Sequence, residues 1–273
     1  LAKVRQIAYR LVCGTNLSGI GKAMMVYAQD NDEDYPVAGG REAEWISNAN
    51  PSLNNWLSTT GVDDAYGATN GREGEATIGS CFYLLIKYAD VTPKQFMCKG
   101  DVGVEEFTLA EYGANDTQGI DDLTDVWDFG DEKVGNHYSY SYSMPFYRGG
   151  VNSGPSKAPR PIRSSSNPSS VVAADRNPRL DLNALTYIIA SNSDIADPVW
   201  ENDAFYDKDD KWNCAAHQRE GQNVLYADIH TSFEKEPICG IENDNIWQAW
   251  TQHPNPGQMP DPEERQIDGV FPQ

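Results

Sequence analysis

Apolar residues near the start of the chain recur three and four positions apart, the spacing that places them along one side of an α-helix. The polar stretch "DNDEDYP" follows them, and its proline, Pro36, cannot continue a helix. The pattern therefore predicts one long helix over residues 1–30. The apolar series consists of Leu1, Val4, Ile7, Leu11, Leu17, Ile20, Met24 and Tyr27.

Residues after 136 follow a different rule, in which tyrosine and serine alternate. In "HYSYSYSM", which covers 137–144, the tyrosines share one face and the serines the other, as in a β-strand over 138–144. "SSVVAAD" (169–175) predicts a short apolar strand, and "NVLYA" and "HTSFEK" predict the two arms of a hairpin over 222–235. Upstream, "IGSCFYLLIKYADVTP" (78–93) predicts a second helix. Helices that precede a set of antiparallel strands define the α+β class.

The rest of the chain is divided by polar stretches. A length of 273 residues is enough for one sizeable hydrophobic core, so we interpret 31–273 as a single globular domain behind the helix. Three stretches rich in Gly, Asn or acidic residues interrupt its patterns. We predict loop-rich insertions there, at 37–77, 99–136 and 191–213.

The chain is strongly acidic, with a formal net charge of -20. A field of that sign repels nucleic acid and anionic lipid, so nucleic acid is not an expected partner. No apolar run in the sequence reaches the length of a membrane span. Because the chain starts inside a helical pattern without a capping residue, we expect that a segment upstream of Leu1 has been removed.

The sequence contains little material for catalysis, because it has four histidines and no G-x-S-x-G or H-E-x-x-H motif. We therefore predict that the protein is not an enzyme. His217, Asp228 and His230 fall close together in the sequence, and a metal or catalytic cluster is one interpretation. The interpretation we favour is a structural hairpin with Asp228 at its turn, where Asp bonds to the backbone.

One acidic stretch begins like a calcium loop. Asp30, Asp32 and Asp34 have the 1-3-5 spacing of such loops, but Tyr35 and Arg41 stand where a glycine and a glutamate are required. An EF-hand is therefore excluded. An irregular calcium site at the three aspartates is one expectation, a solvated acidic surface is the other, and no further cofactor is indicated.

Five cysteines are scattered along the chain without a C-x-x-C pair, which argues against zinc ribbons and thioredoxin-like motifs. This distribution favours an oxidising compartment with one or two disulfides, and free buried thiols are the alternative. Cys214 and Cys239 flank the hairpin, so we predict a bridge between them. A second bridge would join Cys81 to Cys98, and Cys13 would stay free in the helix.

Several segments resemble one family. "RLVCGTNLSGIGKAMMVYAQDNDEDYP" is similar to the second half of the long N-terminal helix of pilin-like proteins, the type IV pilins and type II secretion pseudopilins. "SYSYSMP" and "FMCKGD" also resemble segments of the large bacterial pilin-like group. Near its far end that group carries a His, an apolar strand and then Asp-Gly. Here His217 precedes "QREGQNVLYAD", and Ile229 stands in place of the glycine.

The resemblance implies a pilin-like fold, in which the long N-terminal helix packs on an antiparallel sheet and the chain lacks the helix's apolar first half. It also implies a structural subunit of a type IV pilus or type II secretion filament, located in the cell envelope or outside the cell. The missing half would anchor it in the inner membrane before it assembles with identical or related subunits. The expected assembly face is Leu1, Val4 and Leu11.

Two other functions remain open at this point. The chain could be an extracellular module whose Tyr- and Trp-rich loops bind a carbohydrate or another ligand, with the helix serving only to display it. A secreted hydrolase with paired carboxylates is the weaker option, because no spacing singles out a pair among the 41 acidic residues.

Overall fold

A computed structural model describes most of the helix and strand segments of the chain. The described residues are 2–40, 44–45, 62–66, 75–111, 120–130, 134–143, 145, 162–177, 213–243 and 246–247. The helices are α1 (Ala2–Gln29), α2 (Val62–Tyr66) and α3 (Ile78–Tyr88). The strands are β1 (Glu44–Trp45), β2 (Glu75–Ala76), β3 (Tyr140–Tyr142), β4 (Val171–Asp175), β5 (Gln222–Tyr226) and β6 (Thr231–Glu234).

The N-terminal helix and the antiparallel sheet confirm the α+β class. β3, β4, β5 and β6 form one sheet in that order, and every neighbouring pair is antiparallel. The predicted strands and the hairpin are therefore present, although β3 is shorter than the alternating segment suggested. A separate parallel pair joins β1 to β2.

α1 is continuous, as predicted, but its apolar positions do not form one stripe. Leu17, Ile20 and Met24 are fully buried, whereas Val4 and Leu11 are 68% and 69% exposed. At about 100° per residue, the six-residue step from Leu11 to Leu17 moves the side chain about 120° around the helix. The two sets of residues therefore face different directions, and only the later set packs on the sheet.

α1 lies against β5, β6 and α3, and most of its buried residues fall in its second half. One glycine in this half permits the close approach. A methyl group at Gly21 would lie 2.7 Å from a terminal carbon of Leu225 on β5, which is closer than carbon atoms normally come. The glycines that weaken α1 as an isolated helix thus allow its packing on the sheet.

The main core lies between α1, α3 and one face of the sheet. α3 begins at a capping box, in which the Thr77 hydroxyl accepts from the Ser80 backbone N–H and Ser80 accepts in return. The helix ends at Tyr88, before the predicted 93, and a 3₁₀ turn follows at Pro93–Phe96. The aromatic residues packed in this core include Phe82, Tyr83, Phe96, Phe107, Phe129, Tyr138 and Tyr142.

A smaller cluster covers the other face of the sheet. Along β5, Val224 and Tyr226 belong to this cluster, whereas Leu225 belongs to the main core, as strand alternation requires. Ile246 and Trp247, which follow the hairpin in the chain, also belong to it.

The predicted insertions are described only in part. In the range 99–136 the described elements are 3₁₀ turns at Leu109–Glu111, Leu123–Asp125 and Val134–Asn136. Apart from Asn213, the range 191–213 lies outside the described residues, as do Leu1 and the tail after 247. None of the described helices is both long enough and apolar enough to cross a membrane.

Candidate functional site

Four buried side chains from four different parts of the fold meet beneath α1. Cys13 comes from α1, Cys98 follows the 3₁₀ turn at Pro93–Phe96, Asp175 ends β4, and His217 ends a 3₁₀ turn at Ala215–His217. One potential ligand atom from each residue, a sulfur, a ring nitrogen or a carboxylate oxygen, lies within 4.8 Å of those of the other three. We call these four residues the Cys–Asp–His cluster.

The two cysteines of the cluster form a disulfide, with their Cα atoms 5.6 Å apart. The predicted pairings are therefore wrong, and so is the prediction that Cys13 is free. Cys81 and Cys214 are free thiols, and neither is bridged to Cys239. The pairings were predicted from the positions of the cysteines along the chain, and those positions do not show on which face of the sheet each cysteine lies.

The face of the sheet explains why the hairpin cysteines do not pair. Cys214 is buried in the main core on the α1 side, whereas Cys239 packs with the smaller cluster on the opposite side. Cys81 lies in the middle of α3, where its sulfur accepts from the Ala38 backbone N–H at 3.4 Å. Burial raises the pKa of the Cys81 and Cys214 thiols, so both stay protonated and unreactive.

The histidine and the carboxylate of the cluster contact each other directly. His217 Nε2 lies 2.9 Å from Asp175 Oδ2 and 4.0 Å from Cys98 Sγ. Asn223 donates to the same carboxylate oxygen from its backbone N–H at 2.6 Å and from its side-chain amide at 2.9 Å. Among the described residues, neither Asp175 Oδ1 nor His217 Nδ1 has a hydrogen-bond partner.

Tight backbone packing holds the cluster together. Gly100 follows Cys98 by two residues, and a methyl group there would lie 2.4 Å from the carbonyl oxygen of Ala216, the neighbour of His217. On the other side, the His217 ring packs edge-on against Phe233 of β6. The absence of a side chain at position 100 therefore lets the segment that carries Cys98 approach the turn that carries His217.

The hairpin interpretation is confirmed, and the structure separates the three residues that the sequence groups together. Asp228 and His230 are exposed at the β5–β6 turn, where Asp228 Oδ1 accepts from the His230 backbone N–H at 3.1 Å and contacts its ring. These contacts lower the pKa of Asp228, the His230 side chain having the largest effect. His217 is fully buried and contacts Asp175 instead.

The three aspartates proposed for calcium lie in the turn after α1. Asp30 and Asp32 are exposed, and Asp34 is engaged by Arg163, whose Nε lies 2.8 Å from its Oδ1. Within the described ranges, the Cys–Asp–His cluster is the one group with metal-ligand spacing. Calcium at the aspartates therefore remains an expectation without structural support.

A second feature is the apolar surface on the first half of α1. Val4, Ile7 and Leu11 are exposed. Beside Leu11, a groove of about 580 Å³ separates α1 from β6. Arg10 crosses this groove, pairs with Glu220 and stacks on Phe233 at 4.6 Å from the ring centre. The ion pair lowers the pKa of Glu220.

The sequence analysis missed the cluster, although a signal was present. Cys13, Cys98 and His217 each lie in a segment that carries the family resemblance, and joining those segments in space would have suggested a site. The fourth member, Asp175, is the acidic residue that ends the apolar strand "SSVVAAD", and an acidic residue at the end of a buried strand is itself a signal.

The fold and the site define this chain as an α+β protein with a buried Cys–Asp–His cluster and an uncovered helix end. No protein-family model, no curated protein and no solved structure matches the chain. Its function is therefore argued from its own geometry.

Proposed function

We propose that this chain is a structural subunit of a pilin-like filament, of the type IV pilus or type II secretion kind. The observation that carries the proposal is the uncovered half of α1. The helix extends past the sheet as one regular element, and its side chains become buried only from Cys13 onward.

The cost of exposing this surface supports an assembly role. Burying one such aliphatic side chain is worth about 1.5–3 kcal/mol. Val4, Ile7 and Leu11 leave that stabilisation unused in the monomer, and Met25 and Val26 are also exposed farther along α1. Neighbouring helices in a filament would recover it, while the opposite side of α1 holds the sheet domain.

Charge distribution favours other copies of the same chain as the partner. α1 contains the basic residues Lys3, Arg5, Arg10 and Lys22 and no acidic residue, so all 41 acidic residues lie elsewhere. A basic, apolar helix therefore projects from an acidic body. Opposite charges on one molecule steer copies toward each other in a staggered, head-to-side arrangement.

The location follows from the same proposal. A disulfide is typical of proteins outside the reducing cytoplasm, and the Cys13–Cys98 bridge fits the cell envelope or the extracellular space. Anchoring in the inner membrane by a preceding apolar helix remains an expectation from the resemblance to pilin-like proteins.

Charged substitutions on α1 test the proposal in the natural gene product. Val4→Glu and Leu11→Glu should leave the unfolding free energy within about 0.5 kcal/mol of wild type, because exposed positions tolerate change. The same variants should lower the fraction of chain recovered in sheared filaments at least tenfold. Val102→Glu is the matched control, since Val102 is as exposed as Val4 but lies outside α1.

Two results would contradict a filament subunit. One is normal recovery of both α1 variants in the sheared fraction. The other is equal loss for Val102→Glu, which would point to a general effect of added charge. A ligand-binding module displayed on the helix also predicts that the α1 variants behave like wild type, so the experiment separates the two functions.

A further inference from the structure

The Cys–Asp–His cluster contains more polar groups than a buried disulfide needs. A disulfide is neutral and makes only weak hydrogen bonds, so apolar neighbours suit it best. Placing a carboxylate and an imidazole beside it is costly unless their polar atoms are satisfied. Asp175 Oδ1 and His217 Nδ1 have no partner among the described residues, and all four side chains of the cluster are buried.

We propose that the cluster is a redox-gated zinc site, which binds one Zn²⁺ ion through Cys13, Cys98, Asp175 and His217 when the disulfide is reduced. This site is independent of filament assembly. Thiolate, imidazole and carboxylate are the three ligand types that proteins use for zinc, and four of them complete a tetrahedral structural site. The thiolates also select zinc over calcium or magnesium, which prefer oxygen ligands.

The positions of the ligand atoms agree with this assignment. Zinc bonds of about 2.0–2.3 Å place tetrahedral ligand atoms roughly 3.3–3.8 Å apart. His217 Nε2 lies 2.9 Å from Asp175 Oδ2, which is shorter than that spacing, and 4.0 Å from Cys98 Sγ, which is longer. Because the four ligand atoms all lie within 4.8 Å of one another, shifts of about 1 Å, together with separation of the two sulfurs on reduction, would bring them to that spacing.

Asn223 holds one ligand, the Asp175 carboxylate, in place. Both amide donors of Asn223 bind Asp175 Oδ2, and such contacts orient a ligating carboxylate. Gly14 makes room for them, because a methyl group there would lie 3.0 Å from Asn223 Oδ1. Asp175 Oδ1 is left without a hydrogen bond.

The two states interconvert by a balanced reaction. A dithiol reductant gives two electrons to the S–S bond, which breaks to two thiols while the reductant closes its own disulfide. Zn²⁺ then replaces the two thiol protons, which pass to solvent. In the reverse direction, a disulfide oxidant accepts two electrons as the two sulfurs join, and the zinc ion is released.

Cobalt serves as the spectroscopic probe of the reduced chain. The purified protein is freed of metal, reduced anaerobically with a water-soluble phosphine and titrated with Co²⁺. We expect the visible bands of tetrahedral cobalt and a near-ultraviolet thiolate-to-cobalt band, both saturating at one ion per chain. Equimolar Zn²⁺ should bleach them and raise the Tm of the reduced chain, and the oxidised chain should give neither band.

Variants assign the ligands. Cys98→Ser should remove most of the thiolate-to-cobalt band, and His217→Gln and Asp175→Asn should each weaken binding by at least about tenfold. Cys239→Ser is the matched control, because Cys239 is a half-buried cysteine packed on the other face of the sheet. It should bind like wild type.

The wild-type chain alone suffices if a variant does not fold. X-ray absorption of the zinc-loaded reduced chain should count two sulfur and two nitrogen or oxygen ligands, and any other ligand set overturns the proposal. Absence of the thiolate-to-cobalt band in the reduced wild type also overturns it. So does unchanged binding in His217→Gln and Asp175→Asn variants that circular dichroism shows to be folded.

Discussion

Ile229 is the most constrained single residue in the hairpin turn. Its φ of 71° lies in the left-handed region, which a β-branched side chain rarely enters. The pilin-like pattern has glycine at the corresponding place, and glycine adopts this conformation without strain. The side chain of Ile229 instead packs beside Gly21 of α1, which partly offsets the cost.

Comparing two substitutions at this position isolates the backbone effect. Ile229→Gly and Ile229→Ala both remove the packing against α1, and they differ in tolerance of the left-handed region. We expect the glycine variant to be more stable than the alanine variant by about 1 kcal/mol, the reverse of the usual order in regular structure. Urea denaturation of the pair measures this difference, and an alanine variant of equal or higher stability would refute the strain.

Asp128 is a buried carboxyl whose ionisation opposes folding. It accepts from the Thr77 hydroxyl at 2.6 Å and from the Phe129 backbone N–H at 2.8 Å. These bonds lower its pKa, but burial dominates and raises the pKa from 3.8 to about 7. The folded chain therefore keeps this proton over a pH range in which the unfolded chain has released it.

A pH dependence of stability follows from Asp128. The proton that Asp128 retains adds to the free energy of unfolding. This stabilisation is full below about pH 4 and is lost as the pH rises toward 7, and it amounts to about 1.4 kcal/mol for each unit between the folded and unfolded pKa values. The stability of Asp128→Asn relative to wild type should therefore increase from pH 4 to pH 7. Asp125→Asn is the control, because backbone N–H groups lower the pKa of the exposed Asp125, so its contribution is lost only below about pH 4 and this variant's difference from wild type should stay flat from pH 4 to pH 7. A flat Asp128→Asn difference would contradict the shift.

At the scale of elements, long regular patterns were predictable and contacts between elements were not. Spacing of three and four predicted α1, and Tyr–Ser alternation predicted β3. The same pattern did not reveal that Leu11 and Leu17 face different directions. A six-residue step between apolar residues moves the next side chain to another side of the helix, although the helix itself continues. The disulfide was missed because Cys13 and Cys98 are 85 residues apart and meet only after α1 packs on the sheet.

Gly100 tests the packing between the two segments that build the cluster. A methyl group there meets the carbonyl oxygen of Ala216 at 2.4 Å, and backbone cannot move aside as a side-chain tip can. Gly100→Ala should therefore cost about 1–3 kcal/mol of unfolding free energy in the oxidised chain. Lys99→Ala, at the exposed neighbouring position, is the control and should stay within about 0.5 kcal/mol. Equal urea midpoints for the two variants would show that the segments are not in tight contact.

At the scale of the whole molecule, the sheet domain covers only part of α1. The covered part ends near Cys13, where the disulfide ties α1 to the segment that follows Pro93–Phe96. Beyond that tie the helix continues with its apolar residues exposed. Val4 and Leu11, two residues of the expected assembly face, are among those exposed. The role of this surface depends on what covers it, which no pattern within a single chain reports.

The central claim is that other copies of this chain cover the exposed half of α1. The most direct test places a photo-activated benzophenone amino acid at Leu11 of the natural gene product in its own cell, and a second at Val102 as the control. We expect a ladder of covalent multimers of this chain from position 11 and none from position 102. No multimers from position 11, or the same ladder from both positions, would contradict it.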